Sequence, residues 1–249
     1  MRAKLEIVFE RYRLPAEKAL AVIHSIFSER GLPLQGFKLY GKPVDLAQPV
    51  SRILKVAGRP HFSIEGRGWS LTRSTVANHA IDLFMIKSDI ALLSAEQWVK
   101  EVASEAQITQ AWVVNSEYDY WQNAFDPLQY TANGRSYDHL PMRPNGLPPP
   151  LNKDIIDTSQ NPGRRVMHVG YIEAVGSPMW LGPGFWKLTG ADKQRLIDEP
   201  WANCVETAEG LLRIQPSDEP FASAEGEAGE IQRRLRSLLY PLDGIGGRA

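Results

Sequence analysis

Pro178-Met179-Trp180-Leu181-Gly182-Pro183-Gly184-Phe185-Trp186 sets two tryptophans and a phenylalanine around a Gly-Pro-Gly step. Glycine reaches backbone angles closed to other residues, and the proline fixes one angle between the two glycines. The stretch therefore reads as a tight turn with aromatic groups on both arms. Aromatic side chains dominate core burial, so the turn is expected to anchor a core, with Trp180 and Trp186 mostly buried. The other use of such a turn is to offer a rigid contact surface to a partner.

Upstream of the turn, Arg165 to Val175 reads as one strand. Val166, His168, Gly170 and Ile172 fall on one face, and Met167, Val169 and Tyr171 on the other. Downstream, a short helix spans Lys193 to Asp198 and stops at Pro200. Cys204–Thr207 and Leu211–Ile214 pair around Glu209-Gly210. A final helix runs from about Glu227 to Leu239, and the glycine-rich tail after Pro241 reads as loose.

The first half interleaves strands and helices. Leu5 to Phe9 is a strand with Leu5, Ile7 and Phe9 on its buried face. Pro15-Ala16 opens a helix that runs to about Arg30. Phe37 to Tyr40 is a short strand, and Val50 to Val56 a short helix ended by Gly58. Phe62–Glu65 and Trp69–Thr72 form a hairpin over a glycine-rich turn. Ile81 to Ile86 and Ile108 to Val114 are strands. Between them a helix begins at Ser94, with Gln97 three residues on in the capping-box pattern. No regular βα period appears, so the class is α+β: a mixed, largely antiparallel sheet flanked by helices. Residues 123–162 are proline-rich and irregular. The chain is one α+β domain over 1–249, or two subdomains, 1–122 and 163–240, joined by that segment. Phe125, Leu128, Tyr130, Tyr137 and Leu140 give the segment groups to bury, unlike a flexible linker.

Composition narrows the function. The formal net charge is −1, so no whole-molecule field draws in nucleic acid or a membrane surface. Residues 1–75 nonetheless carry 13 Lys/Arg against 6 Asp/Glu, and residues 76–130 carry 2 against 8. Either the surface is electrostatically two-sided or the fold mixes the two sets in space. Cys204 is the only cysteine, which excludes an intramolecular disulfide and a cysteine-based zinc site. Met1 to Glu10 has charges every few positions and no apolar run of signal-peptide length. A reducing cytoplasm is the expected compartment.

Motifs for catalysis are missing. His24, His61, His79, His139 and His168 are scattered without a metal-ligand spacing, so no metal and no cofactor are expected. There is no Walker A sequence and no nucleophile elbow. None of the ten lysines has an acidic residue two positions before it, against a restriction-endonuclease-like nuclease. His168 and Glu173 are an odd number of residues apart, which puts them on opposite faces of one strand. The candidate site is instead Glu117-Tyr118-Asp119-Tyr120-Trp121, which combines negative charge with amphipathic rings. Such rings dominate protein–protein hot spots, and carboxylates beside them favour a basic partner. The plain reading is that the rings turn inward and the acids solvate the surface.

Trp180-Leu181-Gly182 resembles the Trp-any-Gly signature of the immunity protein 52 family, and the α+β layout and length suit that family. The resemblance implies a bacterial immunity protein, encoded beside a polymorphic toxin delivered by contact-dependent or type VI secretion. It further implies a toxin with a restriction-endonuclease-like nuclease domain. Trp180 and Gly182 are then a structural family signature. On this reading the chain is no enzyme. It binds the toxin protein, not nucleic acid or membrane, and occludes a surface of it; the oligomeric state is left open. The alternative is a hydrolase with a non-local site, His168 and a carboxylate under the 123–162 loop. A third reading is an adaptor docking through Leu147–Leu151.

Overall fold

In a computed structural model that describes residues 1–49, 51–53 and 61–241, the chain is organised around strand β1 (Arg2–Glu10). Antiparallel β6 (Ile81–Asp89) and β7 (Ile108–Asn115) flank it. Beyond β6 the sheet continues through β5 (Trp69–Val76), β4 (Phe62–Gly66), β2 (Phe37–Leu39) and β3 (Lys42–Val44). Beyond β7 it continues through β12 (Met179–Leu181), β14 (Leu212–Ile214) and β13 (Cys204–Glu206). Two small hairpins stand apart, β8 (Met142–Pro144) with β9 (Asp154–Ile156) and β10 (Val166–Met167) with β11 (Ile172–Glu173). The chain is an α+β protein with a ten-stranded antiparallel sheet, and strands from both sides of residues 123–162 share it.

Helices cover both faces. On one face, α1 (Ala16–Glu29) and α3 (Ala95–Glu105) pack Leu20, Ile23, Phe27 and Trp98 against Leu5, Ile7 and Phe9. The single helical turn α2 (Ile90–Leu93) leads from β6 into α3. Phe27 and Phe84 meet the Trp98 ring edge-on at 6.4 and 5.8 Å. On the other face, Val8, Trp112, Leu181, Phe185 and Leu235 share a second core. That face receives α4 (Ser116–Asn123), α6 (Pro183–Thr189) and α8 (Gly226–Leu239). Short helices α5 (Pro127–Thr131) and α7 (Lys193–Ile197) lie in the connections.

The aromatic stretch is a strand-to-helix junction, not a turn with two equal arms. β12 sends Trp180 into the first core and Met179 and Leu181 into the second. Pro183 then takes the first position of α6, where its missing N–H goes unmissed. Trp180 and Phe185 are buried, and Trp186 is half-buried. Gly182 has φ −82° and ψ 169°, angles open to any residue. Glycine is needed there for space, because a Cβ would lie 1.9 Å from the Ile108 carbonyl oxygen.

Several local expectations are corrected. Arg165–Val175 is no single strand; it folds back at Gly170, whose φ is +89°. Ser94 makes no side-chain cap, while an unanticipated capping box forms between Asp126 and Gln129 at α5. The irregular segment thus holds one helix and one hairpin. Residues 51–53 are helical; the rest of the expected Val50–Val56 helix and the tail after Pro241 lie outside the described residues.

Gly182→Ala should lower stability by about 1–3 kcal/mol through overpacking against the Ile108 carbonyl. Gly184→Ala, at an exposed helical position with no neighbour within 4 Å, should be neutral or gain up to about 1 kcal/mol. Urea midpoints of the two variants test this, and equal midpoints would refute the steric account of Gly182.

Candidate functional site

The acidic-aromatic run is helix α4, not an extension of β7. Asn115 starts it, its side-chain oxygen accepting from the N–H groups of Glu117 and Tyr118 at 2.9 and 3.1 Å. Helical spacing then sorts the five residues. Asp119 is buried, Tyr118 and Trp121 are half-buried, and Glu117 and Tyr120 are exposed.

Asp119 is consumed inside the protein. Its Oδ2 takes the Lys4 ammonium at 2.5 Å, and its Oδ1 lies 3.4 Å from Arg165 Nε. Lys4 also pairs with Glu6, and Arg165 Nη1 donates to both Glu6 oxygens at 2.6 and 2.8 Å. All four groups sit over the second face of β1. Burial alone would raise the Glu6 pKa, but Lys4 and Arg165 outweigh it and hold the carboxyl below the usual carboxylate range. Lys87, opposite Lys4 in the β1–β6 register, has its pKa lowered by burial and by the Lys4 charge. Tyr118 donates to Gln232 Oε1 of α8 at 2.9 Å, and burial pushes its phenol up to about 12. The inner side of α4 therefore anchors the helix.

The outer side differs. Trp121 packs against Tyr120 and Tyr130, each with ring centroids 4.9 Å away. The Arg135 guanidinium lies 4.1 Å above the Trp121 ring centre, and its Nη2 reaches Glu117 at 3.1 Å. A cleft of about 590 Å³ opens beside them, lined by Trp121, Tyr130, Arg135, His139, Asp157 and Glu225 among others. On α4 and the 123–162 segment the chain leaves Tyr120, Phe125, Leu128, Met142, Leu147 and Leu151 exposed.

A second charged cluster lies at the β10–β11 hairpin. Glu173 pairs with Arg236 and with Arg164, the latter at 3.0 Å. His168 Nε2 comes within 3.5 Å of Glu173, so the turn at Gly170 brings together two residues that a continuous strand would have separated. The His168 ring stacks on Tyr171 at 4.6 Å. Tyr240, its pKa raised by burial, donates to the Ala174 carbonyl at 2.7 Å. Burial also pushes the half-buried Cys204 thiol up to about 11, so it is protonated at neutral pH. Trp180 and Gly182 both lie within the core, so neither is offered to a partner.

No family model matches the chain. The UPF0301 protein MS0260 of Mannheimia succiniciproducens is 26% identical over 99 residues, covering 36% of this chain and 52% of that protein. The chain thus spans about half the length of the curated relative it matches. The T6SS protein PA0821 of Pseudomonas aeruginosa is similar in structure, with a TM-score of 0.56 at 11% identity, covering 96% of this chain and 73% of its own. At that identity the likeness is one of fold. Among the described residues, no three His, Cys, Asp or Glu are grouped to hold a metal ion. No helix among them is long and apolar enough to cross a membrane.

Sequence reasoning singled out the Glu117–Trp121 run as one surface, whereas Asp119 and Tyr118 turn inward, and it missed the charge network beneath. Lys4 and Glu6 alternate with Leu5 and Ile7, a pattern that reads as a solvated strand face. Arg165 and Asp119 come from segments far along the chain, and no local spacing links them to β1.

Glu6→Gln should cost about 3–5 kcal/mol at neutral pH, because it leaves Arg165 and Lys4 short of a buried partner. Since the folded pKa of Glu6 is depressed, its contribution is complete above the ordinary carboxylate pKa and disappears as pH falls through the lowered value. Urea midpoints of wild type and variant should therefore converge on acidification; a constant gap would overturn the assignment.

Proposed function

We propose that this chain is an immunity protein of a type VI secretion system. It binds a cognate secreted toxin, a nuclease effector, in the cytoplasm of the producing cell, and it neutralises the toxin by covering a protein surface. The type VI effector TseT and its immunity protein TsiT are the pattern for such a pair. The observation that carries the reading is the fold shared with a Pseudomonas aeruginosa T6SS protein over 96% of this chain. Trp180-Leu181-Gly182 supports it as a family signature, seated where the fold needs it. The outer side of α4 supports a binding role, since it offers rings held rigid by their neighbours and rimmed by charge. The carboxylate nearest His168 is engaged by two arginines, which favours a structural use of that cluster over acid–base work.

The hydrolase alternative draws on one observation, the cleft beside the 123–162 segment with His139 and Asp157 in its wall. The two readings separate in one experiment. Cells expressing the neighbouring toxin gene should survive when this chain is co-expressed. Trp121→Ala should weaken the complex at least about tenfold, as a central aromatic contact does. Trp180→Phe should lower stability while the folded fraction keeps its affinity. His139→Ala should leave protection intact. Protection lost with His139→Ala, at unchanged toxin affinity, would favour the hydrolase; no protection by the wild type would end the immunity reading.

A further inference from the structure

We infer that the cleft beside α4 is a seat for an arginine side chain presented by the protein partner. The inference rests on the toxin-binding reading and specifies what part of the partner the face takes. Arg135 supplies the first argument, because it shows a guanidinium already held on the Trp121 ring at 4.1 Å with Glu117 at its edge. Flat guanidinium stacked on an indole, with a carboxylate to one side, is a geometry that an ammonium group fills poorly.

The second argument is that Arg135 is replaceable. Its side chain is 50% exposed and that of Glu117 is 75% exposed. Ion pairs and cation–π contacts that open to water are weak, so a partner's arginine can take the place of this internal one.

The third argument is spare negative charge. Glu225 lines the cleft and has no ion-pair partner among the described residues. Asp157, in the same wall, is already engaged by Arg143 at 3.5 Å and by the Ser159 N–H, so the free charge is that of Glu225. The unpaired Glu225 carboxylate suits a basic protein segment entering the cleft. The fourth is rigidity. Trp121 is clamped by Tyr120 and Tyr130, and its helix is pinned by buried Asp119. A ring fixed in advance loses little freedom on binding.

The test uses the full chain and three end-blocked pentapeptides, Gly-Gly-Arg-Gly-Gly and its lysine and citrulline counterparts. The indole N–H resonance of Trp121, assigned with Trp121→Phe, reports binding. The arginine peptide should shift it saturably. The lysine peptide should bind several-fold more weakly, and uncharged citrulline should give no shift. Arg135→Ala should tighten the arginine peptide about fivefold by removing the internal competitor, and Glu225→Gln should weaken it. A citrulline peptide that binds as well as the arginine one overturns the proposal. So does a Trp121 resonance unmoved by the arginine peptide in both wild type and Arg135→Ala. Co-expression with the toxin is read separately. Protection without arginine binding would sink the seat alone, and arginine binding without protection would sink the immunity reading alone.

Discussion

Strand β1 is buried on both faces, and only one of them is wholly apolar. Leu5, Ile7 and Phe9 meet helices, but Lys4 and Glu6 on the reverse side are taken out of water with their charges. A buried charge persists only with a partner of opposite sign and satisfied hydrogen-bonding groups. That requirement brings Asp119 and Arg165 to the middle of the sheet from segments more than a hundred residues away. It also dictates where α4 and the 163–165 segment lie. Asn123 completes the arrangement, accepting from the Arg165 N–H at 2.7 Å and donating to the Asp119 carbonyl at 2.8 Å.

The candidate face is a by-product of this anchoring. A helix of eight residues would be marginal alone. Held from below by Asp119 and Tyr118, α4 can present Tyr120 and Trp121 without needing them for its own stability. The proline-rich segment then wraps back, with Tyr130 against Trp121 and Ile156 donating its N–H to the Phe125 carbonyl at 2.8 Å. What looks irregular in sequence is a wall built beside the helix.

How much of this could be read in advance follows from range. The class, the final helix and the Cys204–Glu206 hairpin depend on local periodicity and turn residues, and they appear where the pattern puts them. Trp180 in the core follows from its size. The misreadings have physical causes too. Gly182 looks like a glycine wanted for its angles, but the constraint is a carbonyl from another strand. His168 and Glu173 look separated by strand parity, until one left-handed glycine reverses the chain between them. Asp119 looks like a surface acid, because nothing near it in sequence announces Lys4. Two of these misses are contacts whose partner is distant along the chain, and the third is a local reversal at one glycine.

The order of strands in the sheet also has a history in time. During synthesis β1 through β7 emerge first, and they can assemble into seven adjacent strands. The outer side of β7 then stays open until Met179–Leu181 is made, more than sixty residues later. Through that interval the nascent chain carries a bare hydrogen-bonding edge, and for most of it Lys4 and Glu6 lack Arg165. An open edge is the feature that recruits other chains. The ribosome-bound intermediate, rather than the finished protein, is where this fold is most exposed to misassembly.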